Sequence, residues 1–296
     1  MVKHIFSGTA TALITPFTED GKDVEYNQFE KLVNFQIERK IDALVVSGTT
    51  GESPVLTRDE KINLFHIAVN NAKGLVPVIA GTGSNNTEEA VRKSNDAENQ
   101  GVNGLLIVTP YYNKCNDEGL LKHYQFISDR VSTPIIVYNV PSRTGVTVKP
   151  DIYKELANIK NIVAVKEASG NISDFIKTVS LCDDKLDFYS GNDDQTVAMM
   201  SYGAKGVISV VSNIIPDIMS NITRLCLSYD YFHASEMHKK YLSLMNSMFC
   251  ETNPIPIKSA CNMLLGLNNS LRLPLTKLSC ENLLKLRKIL QDYELI

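Results

Sequence analysis

Eight times between residues 10 and 213 the chain passes through a short apolar stretch rich in β-branched residues and then through a segment with apolar side chains at helical spacing. The stretches are 10–17, 43–48, 76–83, 104–111, 134–141, 162–169, 187–193 and 206–213. Between them Tyr26, Phe29, Val33 and Ile37, and then Ile62, Phe65, Val69 and Ala72, recur at 3.6-type intervals. Start signals support helices there: Thr57-Arg-Asp-Glu60 reads as a capping box, Asn86-Thr-Glu-Glu89 resembles one, and Pro150 and Pro216 suit a first helical turn. Strands apolar on both faces, each followed by a helix, require a parallel sheet covered on its outside. Eight such units predict closure into a (β/α)8 barrel, an α/β fold that a chain of 296 residues can build as one core. The alternative, an open doubly wound sheet, usually carries a Gly-rich phosphate turn after its first strand, and Ile14-Thr-Pro-Phe17 is not one. Gly81-Thr-Gly83-Ser-Asn-Asn86 has two of the three glycines of such a fingerprint and follows the third stretch, so it reads as a turn. Past about residue 225 the strand pattern stops, and Met237, Tyr241, Leu244 and Met245, then Leu283, Leu286, Ile289 and Leu290, read as helices. The expected organisation is a barrel over 1–225 and a C-terminal helical extension over 226–296.

Charge and cysteine usage narrow the function. Thirty Lys+Arg against 33 Asp+Glu give a net charge of −3, with no basic footprint for nucleic acid or an anionic membrane, so a small-molecule partner is expected. Cys115, Cys182, Cys226, Cys250, Cys261 and Cys280 are scattered without a CxxC pair or metal-ligand spacing, which predicts free thiols, a reducing cytoplasmic setting, and neither a metal nor a cofactor. The N-terminus lacks an apolar leader, and no stretch approaches the length that spans a bilayer.

Lys166 carries the chemistry. It ends the run Ile162-Val-Ala-Val-Lys166, where a cation must be paired or give up its proton, and a neutral amine is a nucleophile. The plain alternative is a lysine that snorkels out of the strand end or pairs with Glu167. In a (β/α)8 barrel the carboxyl ends of the strands build the site, and these ends are polar: Ser47-Gly-Thr49-Thr50-Gly-Glu-Ser53, Thr109-Pro-Tyr111-Tyr112-Asn113, Tyr138-Asn-Val-Pro-Ser-Arg143-Thr144 and Ser190-Gly191-Asn-Asp193. Each has a dull reading. The Gly-Thr-Thr-Gly segment is a tight turn unless its N–H groups hold a carboxylate, Tyr138 a rim aromatic, and Arg143 a partner for a surface carboxylate. Their conjunction with a buried lysine on one rim favours a site.

On the motifs Gly48-Thr-Thr-Gly-Glu-Ser53, Tyr138-Asn-Val-Pro-Ser-Arg-Thr-Gly145, Val165-Lys-Glu-Ala-Ser-Gly170 and Ser190-Gly-Asn-Asp193 the whole chain resembles the dihydrodipicolinate synthase and N-acetylneuraminate lyase family of Schiff-base-forming pyruvate enzymes. The resemblance implies that Lys166 forms an imine with pyruvate. It also implies that Thr49, Tyr138 and a Tyr112 from a neighbouring subunit relay protons, and that Thr50, Gly191 and Ile208 help hold substrate. Ser-Arg-Thr after Tyr-Asn-Val-Pro resembles the synthase branch, in which the arginine, here Arg143, binds the carboxylate of L-aspartate 4-semialdehyde on the route to lysine and diaminopimelate. The other readings are a different pyruvate-dependent aldolase, such as a sialic or sugar-acid lyase, and a catalytically silent barrel that senses a metabolite. The resemblance further implies a homotetramer, a dimer of dimers.

The resemblance also implies a possible regulatory site for lysine at a subunit interface, with Ser53, Asn85, Glu89 and Tyr111 at its apparent positions. Where sensitive relatives tend to carry two histidines, Arg58 and Lys61 stand here. These are cations with donors only, and they are expected to repel a lysine ligand and leave inhibition weak or absent.

Overall fold

A computed structural model of the chain describes residues 4–182 and 184–296. The strands are β1 (Gly8–Ala12), β2 (Ala43–Val46), β3 (Val78–Gly81), β4 (Gly104–Val108), β5 (Ile135–Asn139), β6 (Ile162–Glu167), β7 (Asp187–Ser190) and β8 (Gly206–Ser209). They pair in sequence order, all parallel, and β1 pairs with β8, so the sheet closes as the alternation predicts. The helices are α1 (Tyr26–Glu38), α2 (Arg58–Ala72), α3 (Thr87–Glu98), α4 (Asp117–Ser128), α5 (Pro141–Thr144), α6 (Pro150–Leu156), α7 (Ile172–Cys182), α8 (Thr196–Ser201), α9 (Pro216–Leu227), α10 (Tyr231–Ser247), α11 (Ile255–Leu265) and α12 (Cys280–Asp292). Their starts follow local chemistry. Thr57 and Glu60 form a complete capping box on α2, Asn86 accepts from the Glu89 N–H on α3, and Pro150 and Pro216 occupy first turns. Among the described residues no helix is long and apolar enough to cross a membrane.

The ladders are shorter than the apolar stretches at their carboxyl ends. β1 stops at Ala12 while Leu13, Ile14 and Phe17 stay fully buried without continuing it. Burial there comes from the C-terminal segment, since the Lys258 ammonium and the Arg272 guanidinium each sit 4.3 Å from the centre of the Phe17 ring. Inside the barrel a separate apolar layer includes Ala10, Ala12, Ala43, Ala164, Ile208, Tyr138 and Tyr189. Four alanines in so narrow a space leave volume that larger side chains can enter from the rim.

Helices α10 to α12 do more than cap the barrel. Lys258 on α11 is fully buried, and its ammonium donates to Glu52 Oε1 at 2.7 Å, to the Thr15 carbonyl at 2.9 Å and to the Ser270 carbonyl at 2.5 Å. The other Glu52 oxygen accepts from the Arg272 N–H at 3.3 Å. Glu52 itself lies in left-handed backbone at φ 54°, held there by this pairing. Removing one partner of so enclosed a pair strands the other charge, a loss of roughly 3–5 kcal/mol. The loop that bears Thr49 and Thr50 is thereby fixed to a segment some two hundred residues away in sequence.

Candidate active site

Tyr138 on β5 and Lys166 on β6 are register partners, so their side chains face the barrel interior side by side. Lys166 is 5% exposed, and its Nζ lies 4.3 Å from the centre of the Tyr138 ring. The space for it depends on Gly191, where a Cβ would come within 3.1 Å of Lys166 Cε and 2.6 Å of Ala168 Cβ. Glu167 does not pair with Lys166. It points to the opposite face of the strand, where both its oxygens take 3.0 Å hydrogen bonds from Asn139 Nδ2, one accepts from the Tyr153 hydroxyl at 2.8 Å and the other from the Ser169 N–H at 2.7 Å. Neither snorkelling nor a local ion pair therefore accounts for Lys166.

The carboxylate whose charge opposes Lys166 is Asp193, which the sequence reading left without a role. Its Oδ2 accepts from the Val210 and Val211 N–H groups at 3.1 and 2.9 Å, while Oδ1 is buried without a hydrogen-bond partner among the described residues. Burial pushes the Asp193 carboxyl up, against the pull of the Ser209 hydroxyl, of those N–H groups and of the Lys166 charge.

A cavity of about 330 Å³ opens above, lined among others by Thr49, Ser53, Lys61, Tyr111, Tyr138 and Arg143. Larger cavities of about 780 and 510 Å³ lie near the amino ends of the strands, around residues such as Ser132 and Pro134, on the face away from Lys166. Thr49 is half-buried on the rim, and Thr50 is buried with its hydroxyl accepting from Asn253 Nδ2 at 3.0 Å. Arg143 is exposed and donates one hydrogen bond, to the Asn253 carbonyl at 3.0 Å. Asn253 thus ties the two candidate substrate-binding residues together, although nothing in its local sequence marks it. Ile208 packs against the barrel interior layer with Tyr138. Tyr112 is 91% exposed in left-handed backbone at φ 67° and does not line its own chain's cavity.

The six positions considered for a regulatory ligand divide. Arg58, Lys61 and Glu89 line a neighbouring cavity, Ser53, Tyr111 and again Lys61 line the one beside Tyr138, and Asn85 lines neither. The two expected free cations reduce to one. Arg58 is neutralised by a two-pronged pair with Asp96 at 2.8 and 2.6 Å, whereas Lys61 is buried. Among the described residues no cluster of His, Cys, Asp and Glu could hold a metal ion.

Residues 5–293 match the profile of the Dihydrodipicolinate synthetase family. A 4-hydroxy-tetrahydrodipicolinate synthase of Clostridium acetobutylicum is 47% identical over 295 residues, 99% of both chains. The crystal structure of dihydrodipicolinate synthase from Aquifex aeolicus superposes with a TM-score of 0.95 at 43% identity, over 98% of this chain and 99% of that one. The chloride-inhibited dihydrodipicolinate synthase of Acinetobacter baumannii, solved in complex with pyruvate, superposes at 0.97 with 38% identity, over 99% of this chain and 100% of that one.

Proposed function

The chain belongs to the dihydrodipicolinate synthetase family, and from that premise we infer that it carries out the 4-hydroxy-tetrahydrodipicolinate synthase reaction of lysine biosynthesis, a lyase activity that condenses pyruvate with L-aspartate 4-semialdehyde. The observation that carries the reading is Lys166, enclosed beside a tyrosine and free of any ion pair among the described residues. As a neutral amine it adds to the keto carbon of pyruvate, and loss of water leaves an iminium. The iminium draws electrons from the methyl carbon, which gives up a proton and becomes an enamine. The enamine attacks the aldehyde carbon of the second substrate, and that substrate's own amine then closes the ring and releases Lys166.

Several groups divide the work. The Tyr138 and Thr49 hydroxyls both donate and accept, which suits proton transfer through the carbinolamine, imine and aldol steps. Thr50, at the buried turn, supplies backbone N–H for the pyruvate carboxylate, with Gly191 and Ile208 shaping the floor. Arg143 takes the carboxylate of the aldehyde. The scattered free cysteines suit work in the cytoplasm. Purified protein given both substrates should form the cyclic product and consume them one for one. Pyruvate release from N-acetylneuraminate at a comparable rate would overturn the assignment in favour of a lyase.

The exposure of Tyr112 supports a hydroxyl that serves a neighbouring copy's site, within a homotetramer built as a dimer of dimers. Mixing inactive Tyr112→Phe and Lys166→Ala subunits should restore part of the activity, because some mixed sites then hold both groups. No recovery in verified mixed dimers would mean that each chain completes its own site.

A further inference from the structure

At the amino end of the barrel, on the face away from Lys166, three side chains form a hydrogen-bonded row. Asp187, the first residue of β7, holds His4 Nδ1 at 2.7 Å, and His4 Nε2 meets the Ser7 hydroxyl at 2.8 Å. A carboxylate has no hydrogen to give, so Nδ1 carries the ring's hydrogen and the Nε2 lone pair of the neutral imidazole accepts from Ser7. Carboxylate, imidazole and hydroxyl thus stand in the order that serine hydrolases use on several unrelated folds. The row is held in place from inside the barrel. Phe6, between His4 and Ser7, is buried, its ring stacks on Tyr189 with centroids 4.2 Å apart, and its carbonyl accepts from the Tyr189 hydroxyl at 2.7 Å. The Asp187 side chain is 13% exposed and that of His4 47%, so the acid is sheltered and the base is open to a substrate. A tie between β7 and the chain ahead of β1 is complete with His4 and Asp187. Ser7 adds to it a hydroxyl whose one hydrogen-bond partner among the described residues is the lone pair able to take its proton.

We propose that Ser7 and His4, with Asp187 positioning the imidazole, form a second catalytic site that hydrolyses small uncharged carboxylic esters. His4 lines a cavity of about 510 Å³, a size that suits a small ligand. Ile5, Val76, Val102 and Pro134 give that cavity apolar walls, and among the described residues no lysine, arginine or acid lines it. Such walls suit a short acyl chain and give an anion no counter-charge. The Ser7 oxygen bonds to the ester carbonyl carbon as its proton passes to His4 Nε2, and Asp187 stabilises the imidazolium so formed. The tetrahedral adduct then breaks its bond to the alcohol oxygen, and the alcohol leaves with the proton from His4. Water, giving a proton to the same nitrogen, releases the acid and restores Ser7, so one ester and one water become one acid and one alcohol. This site shares no residue with the one around Lys166 and stands whatever reaction is run there.

Hydrolysis of p-nitrophenyl butyrate by the full chain tests it, together with phenylmethanesulfonyl fluoride labelling and peptide mapping. The unaltered protein should release nitrophenolate over many turnovers. Ser7→Ala and His4→Gln should each lower the rate by about a hundredfold or more, the scale on which a positioned base acts. Asp187→Asn should lower kcat by about tenfold or more with KM little changed, because an amide can donate to Nδ1 and turn the ring to the wrong tautomer. The sulfonyl label should fall on Ser7, a readout on the unaltered protein that does not depend on any variant folding. Turnover no faster than that of folded Ser7→Ala would assign the hydrolysis to other surface nucleophiles and overturn the proposal. So would a label on another residue, or on none.

Discussion

Borohydride reduction in the presence of pyruvate should attach a single reduced pyruvyl group, at Lys166, and Lys166→Ala should abolish the adduct and lower kcat/KM by about a thousandfold or more, some 4 kcal/mol of lost barrier reduction. Among the described residues three lysines are enclosed, and their surroundings differ. Lys258 is held by one carboxylate and two carbonyl oxygens, an arrangement that fixes the ammonium and leaves no lone pair to attack. Lys61 is the true competitor, since burial pushes it down to about 8 and leaves part of it as free amine. Yet Lys61 stands on α2 at the edge of the cavity and not on a barrel strand, and dehydration of a carbinolamine needs a proton donor at the departing oxygen. Only Lys166 sits against a tyrosine, 4.3 Å from its ring, at the carboxyl end of the barrel. Lys166→Arg should behave as the alanine variant does, because a guanidinium stays protonated. Peptide mapping decides the matter: label on Lys61, or none on active protein, would sink the imine route through Lys166.

How much of this was legible beforehand follows from what a local pattern can encode. The eight strands announce themselves because a buried parallel strand must be apolar on both faces, and the helix starts because a cap needs a particular side chain at a particular offset. Strand ends were less legible. Phe17 is as buried as any ladder residue, but it is covered by Lys258 and Arg272 and not by a neighbouring strand, and apolar character does not distinguish the two. The rim residues Thr49, Tyr138 and Arg143 stand out as candidates because they follow apolar strands at the carboxyl end of the barrel, where sites are built. What supports them does not stand out. Asn253 meets Thr50 across 203 positions and Lys258 meets Glu52 across 206, and no periodicity connects residues so far apart. Asp193 lay inside a quoted motif, but its burial against the Val210 and Val211 N–H groups is a property of closure between β7 and β8. Arg58 was expected to stand as a free cation, and its pairing with Asp96 on the next helix neutralises it, a partner that no local pattern announces.

Arg143→Ala should leave pyruvate trapping at Lys166 nearly intact while turnover with L-aspartate 4-semialdehyde falls by about a hundredfold to ten-thousandfold. The guanidinium has five N–H donors, and among the described residues only one acceptor, the Asn253 carbonyl at 3.0 Å, takes any of them. The remaining fork faces the same cavity as Tyr138 and Thr49. A two-pronged bond to a carboxylate combines two charge-assisted hydrogen bonds of about 1.5–3 kcal/mol each, which gives that range in rate. The split between the two measurements is what matters. Lys166 and Tyr138 face the barrel interior from adjacent strands, whereas Arg143 stands on α5 beyond the rim, so first-substrate chemistry does not require it. Arg143→Lys should recover only part of the loss, since a point charge cannot reproduce the fork. Lost trapping in Arg143→Ala would mean that Arg143 instead holds the pyruvate carboxylate or supports the loop through Asn253, and melting temperature separates these two. Unchanged turnover would remove Arg143 from substrate recognition, and with it the residue that distinguishes an aldehyde bearing a carboxylate from the sugar-acid substrates of the lyase branch.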